Sequence, residues 1–348
     1  MVAPVKDASW LEWITQLMGQ PTAPDVRRQA LSRSRFSCLL DEQPTHLVPE
    51  RFAVTDTATP TIGAPLIVNP RCRFSRDGEL HPEVARFPWL TECFALNADI
   101  VWITDPATEG VLPFWLGAEF SNLLADGQPG ETAPQDLPPL ARTILVNAGV
   151  LIDSDHVSRR RREWNEIVVH CRQRFQKGYV PLGGLIHPYH LAALRRYYRY
   201  LIRNGSLRLG DGQAPRRYVA HNEMVARFFH QQLTSVVTAI VGERVKPSYV
   251  YLGSYLGGEK LEKHTDREQC EFSISLCLDF SPEPAGETGW PLYLDTKAGK
   301  LTVHQAIGDG LLYRGRELAH YRDPLPQGNT STSVFFHYVR ESFSGSLD

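Results

Sequence analysis

Phe272, Ile274, Leu276 and Leu278 alternate with Ser273, Ser275, Cys277 and Asp279 between Glu271 and Phe280. A period of two predicts a strand with one apolar face. Segments of similar character surround it: Lys246 to Leu256, Leu261 to Asp266, Trp290 to Asp295, Lys300 to Ala306, Gly310 to Tyr313, Leu318 to Arg322 and Ser331 to Val339. Gly, Pro and Asp separate them, beginning with Gly257-Gly258. Short strands in succession, with no helical stretch between them, predict a barrel or jelly roll over 246–340.

Upstream the pattern changes. Residues 175–245 read as helical and as a brace for the barrel. Pro188 to Asn204 is amphipathic with Gly205 placed to cap it, and Asn222 to Val241 carries a second apolar stripe. Pro44 to Pro70 is proline-rich and loop-like. Ala98 to Thr104 reads as a strand and Leu112 to Gly127 as an apolar helix. A polar linker and a second helix follow, ending in Asn147-Ala148-Gly149-Val150-Leu151-Ile152. The expected fold class is α+β. A C-terminal domain over 171–348 holds the barrel and its helices, and a mixed α/β accessory region covers 1–170.

Composition narrows the class. At 348 residues, 42% hydrophobic and 22% charged, the chain reads as a soluble globular protein. A net charge of −2 gives no reason to expect a nucleic-acid partner. The basic run Arg159 to Arg162 reads as a solvated helix face. No apolar run could span a bilayer, and the N-terminus lacks a charged-then-apolar signal. Cys38, Cys72, Cys93, Cys171, Cys270 and Cys277 show no CxxC spacing, so reduced thiols and a cytoplasmic location are expected.

The chemistry concentrates at His264-Thr265-Asp266 and the later His320. Two imidazoles and one carboxylate suit a mononuclear iron(II) site with open positions, whereas structural zinc favours four protein ligands. The other histidines lack such company. His187 and His190 open a helix without a nearby acid and read as structural. His304 and His337 lie on strands as ordinary core or surface residues, and His221 and His230 suggest no ligand geometry.

Tyr255 to Asp266 (YLGGEKLEKHTD) resembles the tyrosine-to-HxD segment of the prolyl-4-hydroxylase-like iron(II)/2-oxoglutarate oxygenases, including the spacing from Tyr255 to His264 and the glycine-rich turn between them. Gly308 to Tyr313 (GDGLLY) resembles the family's Gly-Asp strand, and Gly328-Asn329 its last-strand opening. The resemblance covers Lys246 to Val339. It implies a double-stranded β-helix, Fe(2+) held by His264, Asp266 and His320, 2-oxoglutarate as cosubstrate with Tyr255 among its contacts, and O2 as oxidant. It also implies release of succinate and CO2 as a C–H bond is hydroxylated. Related halogenases replace the carboxylate by a small residue, so Asp266 favours hydroxylation.

The sequence departs from the family at one point. The basic residue that pairs with the distal carboxylate of 2-oxoglutarate is replaced by Thr330, and no Lys or Arg occurs from Asp323 to Val339. A buried carboxylate needs a cation or several donors. Arg322 is the expected anchor, because on a strand it shares a face with His320. Arg314 and Arg316 are the alternatives, and Thr332 or Ser333 could add hydroxyls.

Two functions remain in play. One is an oxygenase that hydroxylates a peptide or peptide-like natural product; a small-molecule substrate stays open. The other is a non-catalytic metal-binding or sensing barrel, supported by Thr330. The N-terminal region faintly resembles the small winged-helix modules that hold leader peptides in ribosomal peptide biosynthesis. The alternative is an accessory lid or a dimerisation surface, which would make the protein a homodimer.

Overall fold

The structure, a computed structural model, describes residues 35–43, 65–76, 79–125 and 127–348. Residues 44–64, most of the proline-rich segment expected to be a loop, lie outside the described residues.

The C-terminal part holds eight strands in chain order: β1 (Val245–Leu256), β2 (Leu261–His264), β3 (Phe272–Ser281), β4 (Leu292–Thr296), β5 (Gly299–Val303), β6 (Gly310–Tyr313), β7 (His320–Arg322) and β8 (Thr330–Arg340). They divide between two sheets. β6-β3-β8-β1 form the centre of a seven-stranded sheet, which Tyr179–Leu182 extends beyond β6 and Arg217–His221 and Arg208–Leu209 extend beyond β1. β2-β7-β4-β5 form a four-stranded sheet. Apart from the β4–β5 hairpin within the small sheet, successive strands pass from one sheet to the other, the strand order of a jelly roll. The turn after β1 depends on Gly258, whose φ of +87° lies in the left-handed region.

Alternation gives the large sheet two different faces. Ile274, Leu276, Leu278, Val250, Leu252, Val334 and Phe336 join the main apolar core on the helical side. The intervening positions face the small sheet, where Tyr255, Phe280, Trp290 and Leu325 cluster with Phe335 against them. Asp279 breaks the pattern. A bulge between Cys277 and Asp279 turns its carboxylate to the helices, where it accepts from Arg195 Nε at 3.0 Å and Arg199 Nε at 2.5 Å.

Four helices brace this sheet: α1 (His156–Phe175), α2 (Pro188–Arg203), α3 (Met224–Gln232) and α4 (Thr234–Val241). The single helix expected over 222–241 is divided at Leu233. Thr234 Oγ1 donates to the His230 carbonyl at 3.2 Å, a local bond that competes with a continuous helix.

The N-terminal region departs more from expectation. Cys72–Ser75, Ile100–Thr104 and Val111–Trp115 form a three-stranded antiparallel sheet, so Leu112 to Trp115 is strand and only Gly117–Leu123 is helix. Phe114 pairs with Val101 and Trp115 with Ile100; cross-strand packing outweighs the helix-like apolar spacing. Pro113 is tolerated because this strand lies at the sheet edge. The second expected helix runs Pro139–Asn147, after which Leu151–Ile152 pairs with Ile67–Val68.

Specific contacts join this module to the brace. His190 donates to the Pro113 carbonyl at 2.7 Å, and Gln232 Oε1 accepts from Val111 N at 2.6 Å. Arg160 is the strongest tie: it is 1% exposed and reaches both oxygens of Asp105, at 2.9 and 3.2 Å. The basic run therefore includes a buried clamp rather than a wholly solvated face. The boundary expected at 170/171 falls inside α1, and one apolar core extends from Phe36 to Tyr338. All six cysteines are free and buried. Among the described residues, no helix is long and apolar enough to cross a membrane.

Candidate metal centre

β2 and β7 pair antiparallel with His264 opposite His320 and Leu261 opposite Arg322. The register places the two imidazoles side by side, with ring centroids 4.4 Å apart. Asp266 follows β2 immediately and returns its carboxylate between them. His264 Nε2 lies 3.6 Å and His320 Nε2 3.5 Å from Asp266 Oδ1. The ligand atoms of all three residues fall within 4.8 Å of one another.

The backbone selects which ring nitrogen faces the centre. His264 Nδ1 donates to the Glu262 carbonyl at 2.7 Å, and His320 Nδ1 to the Leu318 carbonyl at 3.0 Å. Both Nε2 lone pairs are therefore left for the shared point. Burial opposes charge on Asp266, but the two imidazoles, which donate to it through Nε2 when protonated in the metal-free site, outweigh burial and hold its carboxyl well below the usual range. The contact that protonated His264 makes with Asp266 raises the His264 pKa, against its burial. Two neutral nitrogens and one charged oxygen, converging on one side of a point, match the three-ligand site that suits iron(II).

Beyond the triad lies a polar floor. Tyr313 is buried, with its hydroxyl 3.4 Å from His320 Nε2. Arg322 shares the face of His320 along β7 and is 5% exposed. It stacks over Trp290, donates to the Trp290 carbonyl, and gives a second bond to Gln305 Oε1 at 3.0 Å. Burial lowers its pKa, and the groups opposing that shift are the thiol of Cys277 and the phenols of Tyr255 and Tyr313, not a carboxylate. No acidic side chain among the described residues forms an ion pair with it. Ser275, on the inward face of β3, has a buried Oγ without a hydrogen-bond partner. A buried cation without a counter-ion, in a pocket with an orphaned hydroxyl, suits an anionic ligand.

The other expected cosubstrate contacts separate. Tyr255 is buried with its ring 5.0 Å from Trp290, and its hydroxyl accepts from Arg217 at 2.6 Å. Ser333 lies on the inward face, opposite Gly253 and Cys277. Thr332 does not: its hydroxyl pairs with Ser254 Oγ at 2.8 Å on the helical side of the sheet, as strand alternation requires. Arg314 packs over Phe175 and Phe272 and pairs with Glu317, while Arg316 is half exposed beside Glu271. Both point away from the floor.

The remaining histidines have other partners. His187 bonds to the Asn147 carbonyl at 2.8 Å and His230 to the His337 carbonyl at 2.8 Å. His337 is not one of the three ligands but touches the site through Ser273 Oγ, at 2.9 Å from its Nδ1; burial pushes its pKa down to about 4.

Sequence reasoning missed several residues here. Ser273 carried a faint signal, as a polar position on the inward side of an apolar strand. Arg217, Trp290, Gln305, Tyr313 and Gly315 carried none, because the fold brings them in from separate segments.

Comparison with known proteins gives similarity to solved structures. SnoN, a non-heme alpha ketoglutarate dependent epimerase from nogalamycin biosynthesis, is 12% identical with a TM-score of 0.43, covering 51% of this chain and 84% of that one. A Pseudomonas putida prolyl-4-hydroxylase is 14% identical with a TM-score of 0.40, covering 50% of this chain and 100% of its own. AviO1 from Streptomyces viridochromogenes Tue57 is 20% identical with a TM-score of 0.42, covering 51% and 97%. No family model matches the chain, and no curated protein does.

Proposed function

We propose that this chain is an iron(II)- and 2-oxoglutarate-dependent oxygenase that hydroxylates an unactivated C–H bond of a peptide or peptide-like natural product. The observation that carries the reading is the convergence of His264, Asp266 and His320 on one point beside Arg322, a buried cation without an acidic partner. Bound iron(II), with 2-oxoglutarate and O2, supplies an oxidant able to attack such a bond, releasing succinate and CO2.

The chain's own residues bind and orient. The two Nε2 atoms and Asp266 Oδ1 would hold the metal as its three protein ligands. Arg322 would meet the far carboxylate of the cosubstrate with the planar N–H groups that Trp290 and Gln305 leave free, a geometry ammonium could not reproduce. The Ser275 hydroxyl is free to donate to the same ligand. Trp290, Phe280 and Leu325 keep water from that end of the pocket. A carboxylate at Asp266 favours hydroxylation over halide transfer. The additional module, anchored to the helical brace through Arg160 and His190, is where a peptide-like substrate would be recruited.

Succinate formation tests the reading. Iron-loaded protein should convert 2-oxoglutarate to succinate slowly even without substrate, in a reaction that needs O2 and is lost in Asp266→Ala. No succinate across a broad panel of peptides and natural products would favour a non-catalytic metal-binding barrel.

A further inference from the structure

The Asp266 carboxylate has a second side that the reading above does not use. Its Oδ1 faces the imidazoles, whereas Oδ2 accepts from Ser273 Oγ at 2.9 Å. Ser273 has one hydroxyl proton, so in its contact with His337 Nδ1 at 2.9 Å the imidazole donates. The result is a directed chain from His337 through Ser273 to the oxygen turned away from the histidines.

Gly315 borders the same oxygen and Ser273 itself. Its carbonyl accepts from Asp266 N at 2.9 Å, fixing the backbone of the ligand. A Cβ at Gly315 would stand 2.1 Å from Asp266 Oδ2, 2.7 Å from the Cys270 carbonyl and 2.8 Å from Ser273 Oγ. Contacts that short are deep in the repulsive range, and two of the three atoms belong to Asp266 and Ser273. Gly315 is not among the glycines with positive φ, so the requirement is for space rather than backbone freedom.

We propose that Gly315 and Ser273 are positioning residues that set how Asp266 meets the metal, with Oδ1 offered and Oδ2 retained by the protein. A carboxylate free to turn could bind through both oxygens and occupy a position that cosubstrate or O2 requires. The inference rests on the metal reading of the triad, and it concerns residues that contribute no ligand atom.

Anaerobic Co(II) titration of metal-free protein, followed by visible absorption, tests it, with the melting temperature of each metal-free protein measured alongside. Gly315→Ala and Ser273→Ala should each weaken Co(II) binding by about 10- to 100-fold, the range for partners that orient a ligand. A purely structural role would lower the melting temperature and leave Co(II) affinity at the wild-type value, and that result overturns the proposal. If Gly315→Ala does not fold, Ser273→Ala decides, because it removes an atom and adds no bulk. Failure of the wild-type protein to bind Co(II) is a separate outcome that sinks the metal reading itself.

Discussion

Arg322 lies with its guanidinium carbon 4.7 Å over the ring of Trp290 while donating to the carbonyl oxygen of that residue. One tryptophan thus fixes both the plane and one edge of a buried cation. The N–H groups not used by Trp290 and Gln305 are those the proposed cosubstrate would meet. Losing a charge-assisted contact in such a pocket costs roughly 2–4 kcal/mol. Arg322→Ala should therefore raise the apparent KM for 2-oxoglutarate about 30- to 1000-fold, with metal affinity little changed. Arg322→Lys should recover only part of this. Arg314→Ala and Arg316→Ala, whose side chains point elsewhere, should leave KM near wild type; a large effect in either would move the anchor.

The metal ligands should separate from stability. His264 is the most exposed of the three, with 31% of its side chain accessible, and contributes little packing. His264→Ala should abolish stoichiometric iron binding while the metal-free protein unfolds within a few degrees of wild type. Retention of stoichiometric iron by this variant, measured by metal analysis after anaerobic loading, would contradict the assignment.

The Arg160–Asp105 pair carries a prediction about the fold. Removing one partner of a buried ion pair leaves an uncompensated charge and costs about 3–5 kcal/mol. Arg160→Ala should show that loss in urea unfolding. The double variant Arg160→Met/Asp105→Leu should be markedly more stable than the single one. Equal stability of the two would mean that the clamp is not what holds the N-terminal module to α1.

Acid should destabilise the protein before its carboxylates titrate. Burial pushes His190 and His230 down to about 3. The unfolded chain takes up a proton at each near pH 6.5, whereas the folded chain refuses it until about pH 3. Their contribution is thus complete above pH 6.5 and is lost as pH falls below it, by up to ~1.4 kcal/mol per pH unit for each histidine. Unfolding free energies at pH 7, 6 and 5 should show the decline, and His190→Gln should reduce the slope by one proton. An unchanged slope in that variant would contradict the assignment of His190 as a buried neutral group.

The barrel and its three candidate ligands were legible in the sequence because their signals are local. The period-two pattern of Phe272 to Leu278 marks a strand, and His264-x-Asp266 needs only one turn of chain to converge. Arg322 could be placed on the face of His320 by strand alternation alone. Alternation requires Thr332 and Ser333 to lie on opposite faces, but only the structure shows which of them turns inward. Leu112 to Trp115 misled because a short apolar run fits either helix or strand, and its pairing partner at Ile100–Thr104 decides between them. Arg160 was read as solvated because nothing near it in sequence announces Asp105. Gly315 was invisible for the same reason: its role is the absence of an atom beside Asp266.

The most direct test of the central claim is an anaerobic titration of the iron(II)-loaded protein with 2-oxoglutarate, followed in the visible range. A weak charge-transfer band should grow to saturation at one equivalent per chain. It should be absent in Asp266→Ala and, in Arg322→Ala, require far higher 2-oxoglutarate. Iron-loaded wild-type protein that develops no band at any 2-oxoglutarate concentration would contradict the account.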